Sequence, residues 1–104
     1  MLKILNLSAI CIASVLCCAA ENAPVYHTSV PIEPDARIDP DGYKDVAGSI
    51  DYLVRIIRLN GYKCDSIRRF YAMILYDGTV IGCDQGQHNY EIKEVGGHLV
   101  VTVK

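Results

Sequence analysis

The chain has 104 residues, a net charge of −2 at neutral pH, and 21% charged against 51% hydrophobic residues. That excludes two full domains, a generally disordered chain, and the basic face that a nucleic-acid partner demands. No repeat with a period of about 20–50 residues is present, which excludes a solenoid.

The chain opens with Met1-Leu2-Lys3, then runs from Ile4 to Ala20 without a charge and turns polar at Glu21-Asn22. A short positive start, an apolar run and closing small residues predict a secretory signal peptide over residues 1–20, cleaved after Ala20. Two rivals remain. A membrane anchor would use the same run, near the ~20-residue spanning length, although Asn6 and Ser8 interrupt it. A lipoprotein would use Cys17 or Cys18, preceded here by Leu16 or Cys17 rather than by a small residue.

All four prolines fall within residues 21–44, at Pro24, Pro31, Pro34 and Pro40. Proline fixes its own φ and restricts the residue before it. This segment reads as a Pro-rich arm or linker without regular structure, with Val25, Tyr26, Val30 and Ile32 able to lie along the domain. Its end, Asp39-Pro40-Asp41-Gly42-Tyr43-Lys44-Asp45, has the look of a calcium loop. Aligning Gly42 with the loop's invariant glycine puts Arg37 and Gly48 at two essential ligand positions, so a turn leading into a helix is the better reading.

Residues 45–104 read as one helix followed by a β-meander. Val46, Ile50, Leu53 and Ile57 recur at helical spacing over 45–60, Val54 widens the stripe, and Asp45 or Ser49 can cap the start. Gly48 weakens the first turn, so a late start is expected. Asn60-Gly61 ends the helix. Strands follow over 67–76, 79–83, 90–94 and 99–104, with two-residue turns at Asp77-Gly78 and Gly96-Gly97. The first turn would set Tyr76 opposite Thr79, Ile74 opposite Ile81 and Ala72 opposite Cys83. The second would set Ile92 opposite Val101 and Tyr90 opposite Val103. The expected fold is α+β: one amphipathic helix on a four-stranded antiparallel sheet, with Phe70, Ala72, Ile74 and Ile81 in the core.

Five cysteines reduce to Cys64 and Cys83 once Cys11, Cys17 and Cys18 leave with the leader. An even pair in an oxidising compartment predicts a disulfide. Neither belongs to a C-x-x-C pair, and a structural metal needs more thiols or nearby histidines. His27, His88 and His98 form no metal-binding or nucleophile motif, so no cofactor, metal or catalytic residue is assigned. An enzyme, a small hydrolase or metal-dependent one, would have only His88 and His98 to use.

Strand alternation sends Tyr71, Met73, Leu75 and Val80 to the face away from the helix. That face is polar on the second hairpin (Glu91, Lys93, Thr102) and apolar on the first, which marks a candidate binding face unless the arm folds over it. Arg68 and Arg69 stand at its rim, able to orient an acidic partner.

The segments Gly61-Tyr62-Lys63-Cys64-Asp65-Ser66-Ile67, Gly78-Thr79-Val80-Ile81-Gly82-Cys83, Tyr90-Glu91-Ile92 and Gly96-Gly97-His98-Leu99-Val100-Val101 resemble those of small exported bacterial two-cysteine domains of unknown function. The helix-then-meander order also looks like PepSY-type and cystatin-like modules, in architecture only. Such a resemblance implies a periplasmic or secreted protein without catalytic residues. The expected function is a non-enzymatic binding or accessory module of the bacterial cell envelope, meeting an envelope protein or a second copy through the outer hairpin face. A secreted factor acting on another cell shares every one of these features. No stable membrane span is expected once the signal is cleaved.

Overall fold

A computed structural model describes residues 25–75 and 77–104. The expected leader with Cys11, Cys17 and Cys18 lies outside the described residues, as does Tyr76; Thr79, expected opposite Tyr76, instead pairs with Ala72. In chain order the elements are β1 (Ile32–Ile38), α1 (Val46–Leu59), β2 (Ile67–Ala72), β3 (Gly78–Cys83), a 3-10 turn (Asp84–Gly86), β4 (His88–Val95) and β5 (His98–Val103).

The fold is α+β with one helix, but the sheet has five strands in the order β1-β2-β3-β4-β5, and β1 runs parallel to β2. This corrects the expected four-stranded antiparallel sheet. The fifth strand comes from the Pro-rich arm, which is therefore not without regular structure. Parallel neighbours need a crossover, and α1 supplies it. Backbone bonds bracket the pairing: Ile67 N–H donates to the Pro31 carbonyl at 2.8 Å, and Asp39 N–H to the Phe70 carbonyl at 2.9 Å. Pro34 has no N–H to give a ladder, so β1 can hold it only at an edge with an irregular register. The register does shift between Ile32 and Arg37.

The helix follows from its sequence. The Asp45 carboxylate accepts from Gly48 N–H at 3.0 Å, so the glycine that weakens the first turn is itself capped and the helix starts at Val46, not late. At the other end Gly61 sits at φ 84°. Tyr62 N–H bonds to the Ile57 carbonyl and Gly61 N–H to that of Arg58, the paired closure of a Schellman cap. Val46, Ile50, Leu53, Val54 and Ile57 are buried against Ile67, Phe70, Ile81, Tyr90 and Ile92 of the sheet. Val30 of the arm joins this core, and Ser29 N–H donates to the Asp51 carboxylate on α1 at 2.9 Å.

The closing hairpin has the expected register, Ile92 opposite Val101 and Tyr90 opposite Val103, around Gly96-Gly97 with both glycines at positive φ. The first hairpin does not. Phe70 faces Ile81 and Ala72 faces Thr79. Met73 N–H donates to the Gly78 carbonyl at 2.9 Å, so the connection lies between those two residues and is longer than Asp77-Gly78. Gly78 belongs to β3, opposite Lys93 of β4, and an added Cβ there would sit 2.7 Å from the Ile92 carbonyl oxygen. The strands slide by an even number of residues, which preserves the faces but takes Ile74 out of the core. It is 97% exposed.

Candidate functional site

Tyr71 and Val80 are direct cross-strand neighbours on β2 and β3. Met73 follows at the end of β2, with its sulfur packed in the space that the missing Gly78 side chain leaves. Leu75 is not a strand residue; it sits in the connection, 83% exposed beside Ile74. These side chains and Asp39 line a shallow apolar concavity. Tyr71 is 40% exposed. Of the described part of the arm, Asp39 lines this concavity. The arm enters on the helix side at Val30 and then runs edge-on beside β2.

Beside the apolar residues stands a pair of arginines. Arg37 of β1 and Arg69 of β2 are register partners, and both are exposed. The Arg69 stem crosses Gly82: an added Cβ would fall 2.6 Å from Arg69 Cγ, so glycine is what lets the side chain lie flat there. Sequence reasoning placed Arg69 at this rim but not Arg37, which becomes its neighbour only through the parallel pairing. Arg68 turns elsewhere, bonding Asp35 at 2.5 Å with Glu33 at 3.7 Å. The hydrogen bond from Arg68 and one from its own backbone hold the Asp35 carboxyl below its ordinary pKa of 3.8, against a smaller opposing effect of burial.

A second polar cluster surrounds the disulfide. Cys64 and Cys83 are bonded, with their Cα atoms 5.2 Å apart, and tie the segment after α1 to the end of β3. Asp84 follows in the left-handed region at φ 56°, as does Gln85. Asp84 Oδ1 accepts from the N–H groups of Asp65 and Ser66 at 2.9 and 3.2 Å, and Oδ2 lies 2.6 Å from His88 Nδ1. Burial pushes the Asp84 pKa up. The Asp65 N–H, His88 and the Ser66 N–H together outweigh it and leave the group below 3.8. Glu33 Oε2 accepts from Ser66 Oγ and from Gln85 N–H, each at 2.8 Å.

This cluster contains a His–Asp pair and a serine without making a nucleophile of the serine, because Ser66 Oγ donates to Glu33 rather than to the imidazole. His88 and His98 begin β4 and β5, and His98 pairs with Val95 at the far end of β4. Seven strand residues separate them, roughly 23 Å, so the two do not converge. His27 is exposed in the arm. Among the described residues no group of three or more His, Cys, Asp or Glu is placed to hold a metal ion. The Asp-rich stretch instead makes turns: Asp39 Oδ1 accepts from Asp41 N–H at 3.0 Å. No helix among the described residues is long and apolar enough to cross a membrane.

Comparisons with family models, with curated proteins and with solved structures find no match.

Proposed function

We propose that the protein is an exported, non-enzymatic binding module of the bacterial cell envelope that holds a protein partner on the outer face of the β2–β3 hairpin. The observation that carries this reading is Tyr71, Ile74 and Leu75 standing in solvent around one concavity, with the Arg37–Arg69 pair beside Tyr71. Aromatic anchors and arginines are the residue types that dominate binding energy at protein interfaces. Large apolar side chains gathered on one face need a reason in a soluble domain. The partner this surface fits has an apolar knob flanked by carboxylates. The Cys64–Cys83 bond suits an oxidising compartment, in keeping with export.

The test is capture from envelope extract by the disulfide-bonded protein lacking residues 1–20. Wild type should retain one protein that the Ile74→Asp/Leu75→Asp variant loses at an unchanged melting temperature, and Arg69→Glu should lose it too. Equal capture by all three would overturn this reading. A hydrolytic activity lost in His88→Ala would favour an enzyme instead.

A further inference from the structure

The two edges of the sheet are finished differently. On β1, Pro34 lacks an N–H, Asp35 and Arg37 are exposed, and the register is broken. Those are devices that blunt an edge against pairing. On β5 none is present: Leu99-Val100-Val101-Thr102-Val103 has no proline and no charge, and its register with β4 is unbroken. The bond from Lys104 N–H to the Asn89 carbonyl, 2.9 Å, sets the phase of this ladder. An antiparallel pair engages the backbone of every second residue. His98, Val100 and Thr102 therefore turn their N–H and C=O toward β4, and Leu99, Val101 and Val103 turn theirs outward. Among the described residues no strand pairs with that outward side. The side chains of these three lie on the helix-facing side, where cover thins: Leu99 and Val101 are half-buried and Val103 is 53% exposed.

We propose that a second copy of this chain fills this edge, the two β5 strands pairing antiparallel about a two-fold axis at Val101, so that one sheet runs through both copies. Phase and length select the register. Centring on Val101 sets Leu99 of each copy opposite Val103 of the other, and every outward N–H and C=O of the three residues finds a partner. Centring on Val100 would leave Val103 facing the turn residue Gly97. In the chosen register apolar meets apolar on the helix side, Leu99 with Val103 and Val101 with Val101, and Val100 meets Thr102 on the other. Cross-strand pairs of this kind stabilise sheets. Such self-complementarity is what an isologous interface requires, and it favours a second copy over an unrelated extended peptide.

Sedimentation over a concentration series, with amide hydrogen exchange on the same disulfide-bonded protein, tests this. The expected result is a dimer in which the Leu99, Val101 and Val103 amides are protected and become fast on dilution, while Val100 and Thr102 stay protected throughout. Val103→Lys places a charge opposite Leu99 of the other copy and should raise the dimer Kd at least about tenfold with the monomer still folded. Val101→Pro, which deletes an N–H that β4 does not use, should do the same and serves if Val103→Lys fails to fold. A monomer at every concentration, or a dimer whose three outward amides exchange fast, overturns the proposal. So does a dimer lost only in Ile74→Asp/Leu75→Asp, or protection that arises only when another envelope protein is added.

Discussion

Asp84 holds three donors from a left-handed backbone position, a conformation that Asp adopts more readily than most side chains. Replacing it with Ala strands the Asp65 and Ser66 N–H groups and releases His88. Loss of charge-assisted hydrogen bonds of this kind costs about 2–3 kcal/mol, measurable as a lower urea midpoint. The acid limb gives a sharper test. The folded pKa of Asp84 is depressed, so its contribution is present above the ordinary value of 3.8 and is lost as pH falls through the folded value. Asp84→Asn should flatten the fall in melting temperature below about pH 4, and an unchanged acid limb would remove Asp84 from that role. Gly82 is the other informative residue. An added methyl collides with Arg69 Cγ and lies 2.9 Å from Asn89 Oδ1. Gly82→Ala should cost about 1–3 kcal/mol and lift Arg69 off the sheet, weakening partner capture beyond what the stability change explains.

Among the elements, the arm changes the expectations most. It supplies the β1 edge strand and a buried Val30, so its described part belongs to the fold. Val30→Ala should cost about 1–3 kcal/mol by chemical denaturation, and deleting residues 25–38 should give a poorly folded domain, not a folded one with a newly bared patch. The disulfide closes a loop with a sequence separation of 19 between α1 and β3. Removing both cysteines should cost about 2–5 kcal/mol. A double Cys→Ala variant with the wild-type melting temperature would take the bond out of the stability argument. The elements with local signals were legible: α1 from its apolar spacing and caps, and the β4–β5 hairpin from a glycine pair whose positive φ fits the turn. Asp77-Gly78 gave an equally strong local signal and misled, because Gly78 pairs with Lys93 of β4 as the first residue of β3.

For the molecule as a whole, two surfaces stand out: the apolar hairpin with its arginine pair, and the bare β5 edge. They lie on different strands of the sheet, β1 to β3 against β5, and have no residue in common. Substitutions at them should be energetically independent. Ile74→Asp/Leu75→Asp should change stability by no more than about 0.5 kcal/mol per site and leave self-association intact, and Val103→Lys should leave partner capture intact. A double variant that loses more than the sum of the two would show that the surfaces communicate.

What the sequence by itself determined is what short-range rules govern. It includes the apolar face of α1, the strand faces of Phe70, Ile81, Tyr90 and Ile92, the closing hairpin, and the bond between Cys64 and Cys83. Tyr71 and Val80 were legible as sharing the outer face, because alternation along a strand survives an even slip in register, but only that slip made them cross-strand neighbours. The tertiary structure decided the rest. β1 pairs Ile32 with Ile67 across the whole helix, and its polar, proline-bearing middle carries no alternation to announce a strand. The Arg37–Arg69 pair and the bonds from Glu33 to Ser66 and Gln85 exist only through that long-range pairing. The exposure of Ile74 was likewise decided when β2 and β3 settled their register, because the burial of an apolar side chain depends on which residue the chain brings opposite it.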